Sequence, residues 1–476
     1  MLLLRNATLV TAAESFRGDL LIEDEKIAAI IRDPASSSRF PSDLPSLDCT
    51  GKLILPGGVD PHCHFDLPMF NTVSSDDHYT GHKAAAFGGT TTVMDFVPQD
   101  SPTLAASIET WHAKAAKAAI DYGFHMNITA LTPAVADEIP RLPALGITTL
   151  KVFMAYNGRL RLQDGEIFRV MQIARAHGLL TMLHAENGDV IEILTGQAIA
   201  AGVTSPRGHA HTRPPWSAVE AAFRGCALSA QTGAPLYIVH MNAAGEMDIL
   251  RYARARGVPV MGETCPQYLF FTAADLARPD GAKFVCSPPL RAQPDQAALW
   301  DALADGTLQA LATDHCPFFF DGTMPIEYEG EPIAIPGKEL GRDDFTKIPN
   351  GLPVVGDRLP VMWSSGVREG RLTPERFVAL TSTNPARIFG LYPRKGALLP
   401  GSDADLVIWD PAKRVTHGVA RSHHRTDYNL FEGWELTGTP EKVFLRGTLI
   451  VDGEAWLGKP GMGRYLPRGS GEIVQT

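Results

Sequence analysis

Between residues 53 and 314, short apolar runs of β character alternate with longer stretches of helical spacing. The β-like runs are 53–60, 90–96 (TTTVMDF), 124–129 (FHMNIT), 148–154 (TTLKVFM), 180–186 (LTMLHAE), 236–241 (LYIVHM), 258–264 (VPVMGET) and 310–314 (ALATD). Helix-like stretches occupy 103–119, 164–177, 215–233, 243–256 and 294–305. Strands that alternate with helices pair in parallel through helical crossovers. Eight of them read as an α/β fold of the (β/α)8 TIM-barrel type. Outside this region the texture differs. Residues 1–55 are short β-like runs separated by polar pieces such as DPASSSRFPSDLP, and short runs return after about 395 as DLVIWD and KVFLRGTLIVDG. We expect 1–55 and 395–457 to form one small β-sandwich domain, 56–394 to form the barrel, and 458–476 to be an extended tail.

The C-terminal ends of barrel strands make the active face of such a fold. Polar residues gather there in this chain. The first run ends in LILPGGVDPHCHFD, where His62 and His64 are two residues apart and share one side of a strand. The fourth run carries Lys151, the fifth His184, the sixth His240, and the eighth ends in Asp314. A lone histidine in a strand is an ordinary core residue. Packing does not explain three strands ending in histidine and a fourth ending in TDH. Imidazoles and a carboxylate converging on one face suit a borderline cation such as zinc. Lys151 can be a salt-bridged lysine or a Schiff-base nucleophile. Neither role accounts for an ammonium among metal ligands. Carbamylation does, because it turns the side chain into an anion with two oxygens that can bridge two cations. It needs the free amine, which burial among cations favours.

Other histidines read differently. His78 and His82 lie in SSDDHYTGH (74–82), which reads as a solvated loop. His209 and His211 lie in GHAHTRPP, a polar stretch that reads as surface. His315 is placed to orient Asp314 from behind. Several function classes are excluded. A net charge of -10 without a basic run argues against nucleic acid. No apolar run is long enough for a membrane span, and MLLLRNATLV is too polar for a signal peptide. Six scattered cysteines without CxxC fit reduced thiols and a cytoplasmic location.

PGGVDPHCHFD, TLKVFMAYNG, LHAEN, VHM, CSPPLR and TDHCPF resemble the cyclic amidohydrolases, specifically the dihydropyrimidinase/hydantoinase group, and the likeness runs from LLLRNATLVTA through DYNLFEG. The resemblance implies a homotetramer of metal-dependent barrels, each with a β-sandwich built from both termini. It implies two Zn2+ per chain, replaceable by Co2+ or Mn2+. His62 and His64 would hold the more buried ion with Asp314, and His184 and His240 the other, bridged by Lys151 as N6-carboxylysine. Tyr156 matches a tyrosine that contacts the substrate carbonyl. Ser287 in CSPPLR and Asn350 in IPNG match residues that hold the cyclic amide through backbone groups. The implied reaction is hydrolytic opening of 5,6-dihydropyrimidines or 5-substituted hydantoins to N-carbamoyl amino acids. Asp314 would move the proton and Tyr156 would support the oxyanion. Two alternatives stand beside it. One is an allantoinase or dihydroorotase, although dihydroorotases carry arginine where this chain has Asp66. The other is a non-catalytic scaffold like the collapsin-response proteins, which have lost ligands that this chain keeps.

Overall fold

A computed structural model of the protein describes residues 1–33, 40, 41, 43–69, 72–321, 325–328 and 331–475. Part of the polar piece at 33–45 lies outside these residues.

Eight parallel strands follow one another around a barrel: Gly58–Cys63, Thr90–Val97, Asp121–Asn127, Thr149–Phe153, Leu180–His184, Leu236–Ile238, Val260–Thr264 and Ala310–Leu311, hereafter barrel strands 1 to 8. Each pairs in parallel with the next. Their apolar side chains are buried on both faces, as expected where helices cover the outside. The helices expected between them are present, including Leu104–Lys114, Asp164–Ala176, Pro215–Thr232, Ala244–Arg254 and Gln293–Asp305. Local chemistry sets their ends. The Thr103 hydroxyl accepts from the Ala106 amide at the start of the first, and Gly233 ends the third in the left-handed region at φ 65°.

Strand 8 is only two residues long, so the barrel is closed by the residues beyond it. The Asp314 amide donates to the His62 carbonyl at 2.9 Å, and the His64 amide to the His315 carbonyl at 2.7 Å. The seam is thus sewn by the same short segments that carry three of the expected ligands. Below it, the buried Arg358 guanidinium donates to the carbonyls of Val59 and Leu311 at 3.0 and 2.9 Å, tying strands 1 and 8 together.

The run at 53–60 is two strands in two sheets, not one. Leu53–Pro56 belongs to a separate nine-stranded mixed sheet built from both termini, where it pairs in parallel with Leu2–Val10 and antiparallel with Leu406–Thr416. It is the seam between the N- and C-terminal contributions. Gly57 turns the chain from that sheet into the barrel. A side chain there would collide with Thr91, because a Cβ would lie 2.1 Å from the Thr91 Oγ1.

Residues 458–475 contain no helix and run along the underside of the barrel. The Tyr122 amide donates to the Arg464 carbonyl at 3.0 Å and the Leu466 amide to the Tyr122 carbonyl at 2.7 Å. Leu466 is fully buried among barrel-interior residues that include Val59, Met94, Phe96 and Met182. Arg468 reaches further in and donates to the Thr149 hydroxyl at 2.9 Å. Among the described residues, no helix is long and apolar enough to cross a membrane.

Candidate metal centre and active site

The barrel mouth gathers the polar residues expected there. His62 is fully buried on strand 1. Its Nδ1 donates to Glu263 Oε1 on strand 7 at 2.5 Å, which turns Nε2 toward Asp314 Oδ1, 3.1 Å away. His64 Nε2 approaches the same oxygen at 3.2 Å. His62, His64 and Asp314 therefore present one atom each within 4.8 Å of one another, a group able to hold a metal ion. On the other side, His184 Nδ1 faces His240 Nε2 at 2.9 Å. The His62 and His240 rings lie 5.5 Å apart, so the two groups are neighbours.

The two histidine strands use opposite ring nitrogens, and a buried carboxylate explains each choice. Glu263 takes the Nδ1 side of His62. Glu186 takes the Nε2 side of His184 at 2.9 Å and leaves Nδ1 facing His240. Such outer partners fix tautomer and ring orientation in metal sites. Arg213 and His184 outweigh burial and hold the Glu186 carboxyl down at about 2, so it stays an acceptor. Neither glutamate stands out in the sequence. The signals were the spacing in HAE, which returns the chain to the same side after His184, and an acidic residue inside an otherwise apolar strand.

Strands 6 and 8 end earlier than expected, so His240 and Asp314 stand just past them. Both residues have positive φ, 40° and 54°, as does Tyr156 at 69°. Burial pushes the His64, His184 and His240 imidazoles below their ordinary range, favouring the neutral form that binds metals. Burial opposes ionisation of Asp314, but His62 and His64 outweigh it and hold the carboxyl well below its usual range. Two nitrogens turned on each other, and two more turned on one carboxylate oxygen, present donor atoms to common points. That set fits a borderline cation. Lys151 is buried with its Nζ 4.6 Å from the centre of the Phe96 ring and 5.2 Å from that of Phe153. Burial lowers its pKa to about 8, with the Asp314 and Glu263 carboxylates pulling the other way.

A second group faces this centre. The Tyr156 ring lies 5.1 Å from that of His184. Burial raises the phenol's pKa, against the nearby Arg213, so it remains a donor. Asn350 Nδ2 donates to Ser287 Oγ at 2.9 Å.

Three sequence expectations are corrected here. The 74–82 stretch is not a solvated loop, since Ser74, Ser75, Asp76, Asp77, His78 and His82 are all buried. His78 sits between Asp66 and Asp95, with Nδ1 and Nε2 each 3.1 Å from a carboxylate oxygen. Two buried carboxylates need a cation, and polarity alone did not reveal that the cation was internal. His209 is not at the surface either. It lies on the short helix Arg207–His211, and its Nε2 donates to the Cys286 carbonyl at 2.7 Å beside Ser287. His211 is exposed. His315 does not orient Asp314. Its Nε2 pairs with Asp76 at 3.1 Å and its Nδ1 accepts from the Val354 amide at 3.1 Å, because successive side chains leave the seam in opposite directions.

Residues 53–450 match the model of the amidohydrolase family. The chain is 45% identical over 471 residues to a D-hydantoinase of Geobacillus stearothermophilus, covering 98% of this chain and 96% of that one. It superposes with a TM-score of 0.93 on a D-hydantoinase from a Bacillus species, at 44% identity over 99% of this chain and 100% of that one. A dihydropyrimidinase from Brevibacillus agri gives the same TM-score of 0.93, at 44% identity over 99% of each chain. The family match and relatives alike over almost every residue agree with the fold described above. The chain belongs to the amidohydrolase family, in its dihydropyrimidinase/D-hydantoinase branch, and is a hydrolase.

Proposed function

We propose that the protein opens cyclic ureides by metal-dependent hydrolysis, taking 5,6-dihydropyrimidines such as dihydrouracil, or 5-substituted hydantoins, to N-carbamoyl amino acids. The convergence of His62, His64 and Asp314 on one point and of His184 and His240 on an adjacent one carries this reading. On it, two Zn2+ bind per chain, with Co2+ or Mn2+ as substitutes. His62, His64 and Asp314 hold one ion, His184 and His240 the other, and Lys151 carries a carboxylate on its Nζ as the shared ligand. A buried amine with a lowered pKa supports that modification, which requires the free base. When bound, the ions supply Lewis acidity and bring the pKa of water toward neutrality. The chain's own groups do the rest. Asp314 accepts a proton from the attacking water and returns it to the leaving nitrogen. The Tyr156 phenol donates to the oxygen that gains charge. Ser287 and Asn350 hold the ring amide through their backbone groups.

Self-association is part of the same proposal. Val190, Ile193 and Ile199 on Gly188–Ala200, Trp216 and Phe223 on Pro215–Thr232, and Tyr252 on Ala244–Arg254 are all exposed. The Phe223 and Tyr252 rings lie 5.8 Å apart, so at least two of these helices share an apolar face. A homotetramer would cover it. Six buried, unpaired cysteines support a reducing, cytoplasmic setting.

Metal analysis and a product assay on one preparation test the reading. The assay panel is dihydrouracil, a 5-substituted hydantoin, allantoin and dihydroorotate. The expected result is about two zinc ions per chain and an N-carbamoyl amino acid from one of the first two rings. Turnover of allantoin or dihydroorotate alone would move the substrate. No metal and no turnover would favour a scaffold.

A further inference from the structure

Lys338 is almost wholly buried, yet the reaction above gives it no role. It contacts three separate segments of chain. Its backbone amide donates to the Phe319 carbonyl at 2.8 Å, on the segment that leaves the barrel after Asp314. Its Nζ donates to the Val285 carbonyl at 3.0 Å, two residues before Ser287. The same Nζ donates to the Pro349 carbonyl at 2.9 Å, one residue before Asn350. We propose that Lys338 is a positioning residue for the ring-amide clamp. It staples the Ser287 and Asn350 segments to each other and to the strand-8 segment, and so sets where their backbone groups meet the substrate.

The neighbouring contacts point the same way. The two segments meet directly where the Gly351 amide donates to the Val285 carbonyl at 3.1 Å, so Lys338 adds a second tie at the same carbonyl. Beyond it, Asn350 reaches Ser287, and Ser287 Oγ lies 3.3 Å from His209 Nε2. The lysine's own loop is closely packed on either side of it. A Cβ at Gly337 would lie 2.1 Å from the Phe319 carbonyl oxygen, and one at Gly341 would lie 2.0 Å from the Ile348 side chain. Burial also pushes the Lys338 amine down to about 7. A neutral amine still carries two N–H donors, which matches the two carbonyls it meets.

This inference rests on the proposed roles of Ser287 and Asn350, so its test separates the two. Lys338→Met keeps the length of the side chain and removes both donors. Lys338→Gln retains two donors on a shorter arm and is used in parallel, in case the methionine variant does not fold. Both are prepared metal-loaded and compared with the unaltered protein by hydrogen exchange, metal analysis and steady-state kinetics. In Lys338→Met, peptides covering 283–290 and 348–353 should exchange faster, while those covering 59–66 and 180–186 stay unchanged. Metal content should hold, and KM should rise by roughly 10- to 100-fold with a smaller change in kcat, the scale expected when a bound ring is misplaced. Lys338→Gln should recover part of both effects. Unchanged exchange, or faster exchange with unchanged KM, would overturn the proposal. If the unaltered protein turned over no cyclic ureide, the proposed function would fail. Exchange would then decide the staple alone, with unchanged protection at 283–290 and 348–353 sinking it.

Discussion

Tyr156, His240 and Asp314 take left-handed backbone, as does Asp66 at φ 50°. Each such residue costs on the order of 1 kcal/mol, and these positions cluster where side chains must point inward from strands that have already ended. This makes Asp314→Asn an informative variant, because asparagine tolerates positive φ about as well as aspartate does. Any loss then reflects chemistry rather than backbone. An amide oxygen can still coordinate, but an amide cannot accept and return a proton. We expect turnover to fall roughly 100-fold or more with near-normal zinc, measured by kinetics and metal analysis on the same sample. Near-ordinary turnover, with the sequence verified against deamidation, would rule Asp314 out as the proton carrier. Lys151→Ala should abolish activity and deplete at least one metal, and short carboxylates added to the assay should restore part of it. Full activity without the additive would count against the carboxylated lysine.

At the level of elements, the register of the barrel was legible because its strands are apolar on both faces and end in residues that apolar packing cannot explain. His62, Lys151 and His184 all sit on strands, where that pattern placed them. What stayed hidden depends on contacts between distant elements. The split at Gly57 is decided by Thr91 and by a strand from the far end of the chain, Leu406–Thr416. The burial of 74–82 is decided by Asp95 on strand 2. His78 provides the pH test of that segment. Burial disfavours its charge, but Asp66 and Asp95 outweigh this and raise the imidazole to about 9. A raised folded pKa means the contribution to stability is complete below the unfolded value of about 6.5 and is lost as pH rises through about 9. Unfolding midpoints measured between pH 6 and 10 should therefore fall through the alkaline end, and His78→Gln should flatten that part of the profile. An equally steep alkaline loss in the variant would assign the effect to other groups.

For the whole molecule, the exposed aromatic and aliphatic side chains on three of the outer helices set the prediction. Trp216→Glu combined with Phe223→Glu places charge on this exposed apolar face and should shift the proposed tetramer toward smaller species in light scattering. Metal content of each chain should be retained. An unchanged mass would count against self-association through this face. The floor beneath the barrel carries a different consequence, one of time. Arg464, Leu466 and Arg468 follow all eight strands in the order of synthesis, and the sheet strand at Leu53–Pro56 waits for a partner some 350 residues later, at Leu406–Thr416. While the ribosome is still short of these segments, the nascent barrel has an open base and the early terminal strands have a bare edge. Completion is therefore a late event, and chaperone capture during translation has its longest window on this half of the molecule.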